Sequence, residues 1–91
     1  MRQETSKSAN IVGQRIRNLR LSQGLLQRDL VARIQLLDHE MSQSKLSRIE
    51  GQRIVATDRD LYVIAQALQV EAGDLFPPCK PNKLTEEYFY L

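Results

Sequence analysis

The sequence predicts a compact all-α domain of five short helices, and three observations support this fold class. Apolar residues recur three and four positions apart in successive stretches, as they do on one face of a helix. Glycines, prolines and capping residues separate these stretches. No stretch alternates apolar and polar residues in the manner of a half-buried strand. The 91 residues leave room for one domain.

The first two helices are predicted over residues 10–23 and from residue 26 onward. Asn10 is the predicted cap of the first helix, and Gly24 is its predicted stop. The apolar faces of the two helices comprise Val12, Ile16 and Leu19 in the first, and Leu30, Val31, Ile34 and Leu37 in the second. Asp38 and His39 then predict a turn.

Three further helices follow. Ser42 opens the third helix and Gly51 ends it, while Thr57, with Asp60 three residues later, is typical of the start of the fourth. The predicted buried positions are Leu46 and Ile49 in the third helix, and Leu61, Ile64, Ala65 and Leu68 in the fourth. A fifth helix is predicted over residues 70–76 and is ended by prolines. We therefore divide the chain into a flexible arm (1–9), a helical domain (10–76) and a Pro-rich linker with an aromatic tail (77–91).

The charge is distributed unevenly along the chain. Residues 1–53 carry ten Lys or Arg and five Asp or Glu, a net charge of +5, whereas residues 54–91 carry three and six, a net charge of −3. A basic first half favours a polyanionic partner. Chance clustering on a solvated surface is the alternative interpretation.

Several classes of function are disfavoured. His39 and Cys79 are the only residues of their types, so we expect no metal site, no cofactor and no catalytic nucleophile, and hence no enzyme. The chain lacks a long apolar run and a signal-like N-terminus, which predicts a cytoplasmic protein. The aromatic residues Tyr88, Phe89 and Tyr90 lie in an acidic tail, where packing on the domain or on a second subunit is favoured over stacking on nucleic acid.

The third helix offers side chains that suit DNA. Its polar positions comprise an amide, three hydroxyls and two cations: Gln43, Ser42, Ser44, Ser47, Lys45 and Arg48. Such groups bond base edges and phosphates, and a helix fits the major groove. A solvated helix face would have a similar composition, so the residue types alone leave both interpretations open.

With its neighbours, this helix resembles a known family. Residues 11–76 are similar to the lambda-repressor-like, Xre/Cro-type helix-turn-helix domain. The similarity rests on the order and spacing of residues 12–20, 24–30, 44–50 and 61–76. The resemblance implies a bacterial or phage transcriptional regulator, and we favour a repressor that binds double-stranded DNA as a homodimer on a two-fold-symmetric operator. An antitoxin or adaptor, built on the same fold and binding a protein partner, is the alternative.

The resemblance also implies roles for individual residues. The implied base contacts are Gln43, Ser44, Arg48, Lys45 and Ser47. The implied phosphate contacts are Gln27, Arg28, Ser42, Arg53, Thr57 and Arg59. An ordinary first-turn residue is the alternative for Gln27, and a solvated loop residue is the alternative for Arg53. Arg20 and Glu50 are the implied structural ion pair. We interpret Arg15 and Arg17 as surface charges, whereas Arg2 and Lys7 could follow the DNA backbone.

Three departures from the family pattern affect the geometry. The segment between the second and third helices is about five residues longer, and residues 35–39 are expected to extend the second helix. Leu26 stands where Ser or Thr usually caps that helix, a loss of about 0.5–2 kcal/mol. Gly51 follows Glu50 directly, one position earlier than usual, which affects the loop at Gln52.

Overall fold

The structure, a computed structural model, describes residues 8–78 of the chain. Four α-helices follow one another: α1 (Gly13–Ser22), α2 (Gln27–Leu36), α3 (Gln43–Glu50) and α4 (Asp58–Leu68). Residues 8–78 contain no strand, which confirms the all-α prediction for this part of the chain.

The predicted fifth helix is shorter than residues 70–76, and it is not an α-helix. Only a four-residue 3-10 helix, Ala72–Leu75, forms in the predicted stretch. Gly73 is a weak helix former, and Pro77 and Pro78 cannot extend a helix because they lack a backbone N–H. The short element nevertheless contributes Leu75, whose side chain is fully buried.

The hydrophobic core lies between the four helices. It comprises Val12, Ile16, Leu30, Val31, Ile34, Met41, Leu46, Ile49, Val63, Ile64, Ala65, Ala67, Leu68 and Leu75. Leu19 and Leu61, predicted in the core, are only partly buried against it. Leu37 is 41% exposed, because α2 ends one residue before it and the predicted helical face is not continued.

Asn10 caps the start of α1 from outside the helix. Its Oδ1 accepts hydrogen bonds from the backbone N–H groups of Val12 (3.1 Å) and Gly13 (2.9 Å). Its Nδ2 donates to the carbonyls of Ile49 (3.1 Å) and Ile54 (2.8 Å). The predicted cap therefore forms, but α1 begins at Gly13 instead of residue 10, and the same amide fastens this end of α1 to the end of α3 and the loop that follows.

The connection between α2 and α3 spans residues 37–42. Asp38 takes a left-handed conformation (φ 61°), which stops α2, so the expected extension reaches Leu36 and no further. Met41 is buried in the core, and the Ser42 hydroxyl oxygen accepts the Lys45 backbone N–H at 3.0 Å. The predicted start of the third helix is thus confirmed, and the connection is anchored to the core through Met41.

Gly13 allows α1 to pack closely on the end of α3. A Cβ at this position would overlap the Ile49 carbonyl oxygen and lie 2.8 Å from that of Glu50. Both obstacles are backbone atoms, which cannot move aside by changing a rotamer. The absence of a side chain at Gly13 is therefore required for the α1–α3 contact.

We expect Gly13→Ala to lower the free energy of unfolding by about 1–3 kcal/mol, because overpacking forces the two helices apart. Urea unfolding measures this loss. Gly73→Ala is the matched control, since a Cβ there meets nothing within 4 Å. Equal losses in the two variants would contradict the argument.

Candidate nucleic-acid interface

One side of α3 faces outward and is wholly polar. Its exposed side chains are Gln43, Ser44, Ser47 and Arg48, which we call the outer face. At about 100° per residue, these four positions fall within one arc of the helix. The opposite side buries Leu46, Ile49 and Glu50. The outer face presents amide, hydroxyl and guanidinium groups, the groups that bond base edges.

A buried ion pair holds the end of α3 against α1. Arg20 Nε donates to Glu50 Oε2 at 2.8 Å, and Arg20 Nη2 donates to Glu50 Oε1 at 3.0 Å. Each residue is only 6% exposed. Arg20 Nη1 donates to the Leu25 carbonyl at 2.6 Å, so the guanidinium also orders the α1–α2 turn. The two-bond geometry fixes both the distance and the rotation between the helices.

Gln27, the first residue of α2, joins the same network. Its Nε2 donates to Glu50 Oε1 at 3.1 Å. Because this nitrogen carries two protons, one remains for another acceptor. Leu26 provides no side-chain cap, as the sequence predicted, although Asp29 accepts the Leu26 N–H at 2.9 Å. The Leu26 side chain does not cap the backbone N–H groups in the first turn of α2, and the Gln27 amide lies in the same turn. N–H groups at the start of a helix favour anions.

Two shallow depressions adjoin the outer face. One, of about 380 Å³, is lined by Arg20, Leu26, Gln27, Arg28 and Gln43. The other, of about 280 Å³, is lined by Arg17, Arg20, Gln27, Ser47, Glu50 and Gly51. Arg17 is exposed, in agreement with its interpretation as a surface charge, and it lines the second depression together with Gln27 and Ser47. Its position three residues before Arg20, on the same face of α1, is the signal that could have placed it beside α3.

Lys45 departs from the rest of the predicted base-contact set. Its ammonium nitrogen lies 3.2 Å from Asp60 Oδ1 on α4. Asp60 is 1% exposed, and it also contacts His39 Nε2 at 3.0 Å and accepts the Thr57 backbone N–H at 3.0 Å. The Lys45 side chain therefore turns toward α4.

The hydrogen bonds around Asp60 stabilise its charged form. Burial alone would raise the pKa of this carboxyl group. The hydrogen bonds from the Thr57 backbone, His39 and Lys45 outweigh burial and hold the pKa below its ordinary value. The ionised Asp60 is thus part of the folded state.

The remaining predicted phosphate contacts lie at the start of α3, in the loop that follows it and at the start of α4. Ser42, Arg53, Thr57 and Arg59 are all exposed. Ser42 and Thr57 are helix caps whose oxygens accept backbone N–H groups, which leaves each hydroxyl proton for an acceptor. The left-handed conformation of the loop falls on Gln52 (φ 61°), the position where the resemblance places glycine.

Gln52 fixes this loop to the beginning of the described chain. Its side-chain Nε2 donates to the Asn10 carbonyl at 3.0 Å, and its own carbonyl accepts the Ala9 N–H at 3.0 Å. The loop that carries Arg53 is therefore held in place. The described residues do not include Arg2, Lys7, Cys79 or the aromatic tail. What the sequence predicts for these residues stays a prediction.

The comparisons with known proteins identify the family. Residues 11–77, nearly three quarters of the chain, match the family model of a helix-turn-helix domain. The chain therefore belongs to the helix-turn-helix domain family, a fold that binds DNA through a helix in the major groove. No curated protein and no solved structure matches the chain significantly.

None of the helices in residues 8–78 is both long and apolar enough to cross a membrane. The same residues contain no group of three or more His, Cys, Asp or Glu side chains placed to hold a metal ion.

Removal of one partner of the buried ion pair should be costly. We expect Arg20→Met to reduce the free energy of unfolding by about 3–5 kcal/mol, because it leaves the Glu50 carboxylate buried without its cation. The double variant Arg20→Met/Glu50→Met should lose less than Arg20→Met alone, since no charge is then stranded. Urea unfolding of the three proteins measures both effects. A double variant that loses as much free energy of unfolding as Arg20→Met, or more, would contradict this expectation.

Asp60 should make stability depend on acid pH. The pKa of Asp60 in the folded protein lies below the ordinary value of 3.8. Its contribution to the free energy of unfolding is therefore present above pH 3.8 and is lost as the pH falls through the pKa of the folded state. Thermal unfolding of the wild type and Asp60→Asn should therefore differ most near neutral pH and converge at the acid end. Asp58→Asn, an exposed change in the same helical turn, is the control. A difference that is independent of pH would contradict this assignment.

Proposed function

We propose that the protein is a sequence-specific transcriptional repressor of the lambda-repressor-like, Xre/Cro type that reads the major groove with α3. The observation that carries this proposal is the outer face of α3, four exposed polar side chains on a helix held at its other side by the buried Arg20–Glu50 pair. Such a regulator acts on bacterial or phage DNA in the cytoplasm.

Sequence specificity is assigned to the outer face. Gln43 can bond adenine through two atoms, Arg48 can bond guanine through two atoms, and the hydroxyls of Ser44 and Ser47 bond either base. A two-atom contact discriminates against a wrong base by about 1–3 kcal/mol. Lys45 is left out of this proposed set because its ammonium contacts Asp60.

Affinity is assigned to groups around the outer face. The start of α2 supplies Gln27 and Arg28, and the flanks of α3 and α4 supply Ser42, Arg53, Thr57 and Arg59. Contacts of this kind position a protein on the duplex and carry no sequence information. They also make binding weaken as salt rises.

A homodimer is part of the proposal. One eight-residue helix can read only a few base pairs, and a two-fold dimer doubles the site with half-sites about one helical turn apart. We assign the dimer contact to the region from the 3-10 helix to the aromatic tail. Leu75 is buried in its own domain, so Phe76, which is 40% exposed, is the described residue of this region best placed for it.

Selection from a random duplex pool at about 150 mM salt, where non-specific binding is weak, tests the proposal. We expect the wild type to enrich a palindromic motif. Gln43→Ala and Arg48→Ala should each relax the preference at one position of the half-site, because each removes a base contact. Gln66→Ala, an exposed amide on α4, is the control and should leave the motif unchanged.

The other outcomes distinguish the alternatives. An enriched site without two-fold symmetry would contradict the dimer but keep the role of α3. No enriched motif would contradict sequence-specific binding and favour the protein-interaction module, such as an antitoxin or adaptor.

A further inference from the structure

We propose that Asp60 is a positioning residue that withholds the Lys45 cation from DNA and so limits contact to the outer face of α3. This inference rests on the proposed function, because it concerns how α3 meets the duplex. The inference is based on the contacts among Asp60, Lys45 and His39, none of which belongs to the outer face.

Asp60 joins three segments of the chain. Oδ1 contacts Lys45 Nζ of α3 at 3.2 Å and His39 Nε2 of the α2–α3 connection at 3.0 Å. Oδ2 accepts the Thr57 N–H at 3.0 Å at the start of α4. One carboxylate therefore sets the position of α3 and of the preceding connection relative to α4.

The position of Lys45 on α3 supports this role. Two residues beyond Gln43, it lies about 200° around the helix axis from that residue, outside the arc of the outer face. Its side chain is 36% exposed, and its ammonium nitrogen is at the buried carboxylate. The hydrogen bond to Asp60 therefore draws the Lys45 ammonium group toward α4 and away from the outer face.

Leaving Asp60 would be unfavourable. The Asp60 side chain is 1% exposed, so water cannot replace the lost ammonium group. Removal of one partner from a buried pair leaves the other charge uncompensated. The Lys45 charge is consequently balanced by the buried Asp60 carboxylate, and the DNA-facing surface has one free cation fewer than the sequence of α3 indicates.

The dependence of DNA affinity on salt tests this inference, because log K falls as log salt rises and each neutralised phosphate makes this fall steeper by about 0.9. The slope below is the magnitude of this fall. The probe is the duplex enriched by selection, with a random-sequence duplex of equal length beside it. Lys45→Met should leave the slope unchanged. Asp60→Asn should free Lys45 and raise the slope by about 0.9, and Lys45→Met/Asp60→Asn should return it to the wild-type value.

A reduction of about 0.9 in the slope of Lys45→Met would overturn the inference, since Lys45 would then contact a phosphate in the wild type. An unchanged slope in a folded Asp60→Asn would also overturn it. Circular dichroism establishes that each variant is folded. If Asp60→Asn does not fold, Lys45→Met alone decides: an unchanged slope supports the inference, and a reduced slope overturns it.

A measurement without DNA separates this inference from the proposed function. Limited acetylation followed by peptide mass spectrometry reports how accessible the Lys45 amine is. We expect Lys45 to react several-fold faster in Asp60→Asn than in the wild type, and equal rates would overturn the inference. If the wild type binds neither duplex, the proposed function fails, and the acetylation rates still decide whether Asp60 holds Lys45.

Discussion

The Arg20–Glu50 ion pair is the constraint on which the rest of the structure depends. A pair of charges this deeply buried is tolerated when additional hydrogen bonds support both partners, and here each partner makes one. Arg20 extends to the Leu25 carbonyl and Glu50 accepts Gln27. This network thus joins four segments: the end of α1, the α1–α2 turn, the start of α2 and the end of α3. Gly13 permits the close approach of α1 to the same end of α3.

Three groups of side chains attach α3 to the rest of the domain. Leu46 and Ile49 fix it to the core, Glu50 fixes it to α1 and α2, and Lys45 fixes it to Asp60 on α4. The outer face makes none of these internal contacts and is left for a partner. A short helix can present side chains precisely in this way because its other sides are immobilised by packing and buried polar bonds.

Much of the fold could be predicted from the sequence, because capping residues and apolar spacing act locally. Ser42 and Thr57 begin α3 and α4 as their cap chemistry indicates. The failures have physical causes. The apolar residues at 70–76 matched a helical spacing, but the stretch is too short and too close to two prolines to form an α-helix. The expected extension of α2 to residue 39 fails because Asp38 takes a left-handed conformation, at the turn that Asp38 and His39 predicted.

The interface was harder to predict than the fold. The exposed positions of α3 follow from helical periodicity, so the outer face could be found from the sequence. The direction of Lys45 could not, because its partner Asp60 lies 15 residues further along the chain and long side chains choose among several directions. The spacing from Arg20 indicates that Arg17 lies on the side of α1 next to α3, but its proximity to Gln27 and Ser47 arises only when α1, α2 and α3 pack together.

The central claim is that the outer face of α3 and the start of α2 form one DNA-binding surface. Titration of the isotopically labelled protein with its selected duplex, followed by backbone amide shifts in NMR, tests this claim most directly. The account predicts the largest shifts at residues 43–48 and at Gln27 and Arg28, with small shifts at Tyr62 and Gln66 on the exposed side of α4. Large shifts on α4 with an unperturbed α3 would contradict it.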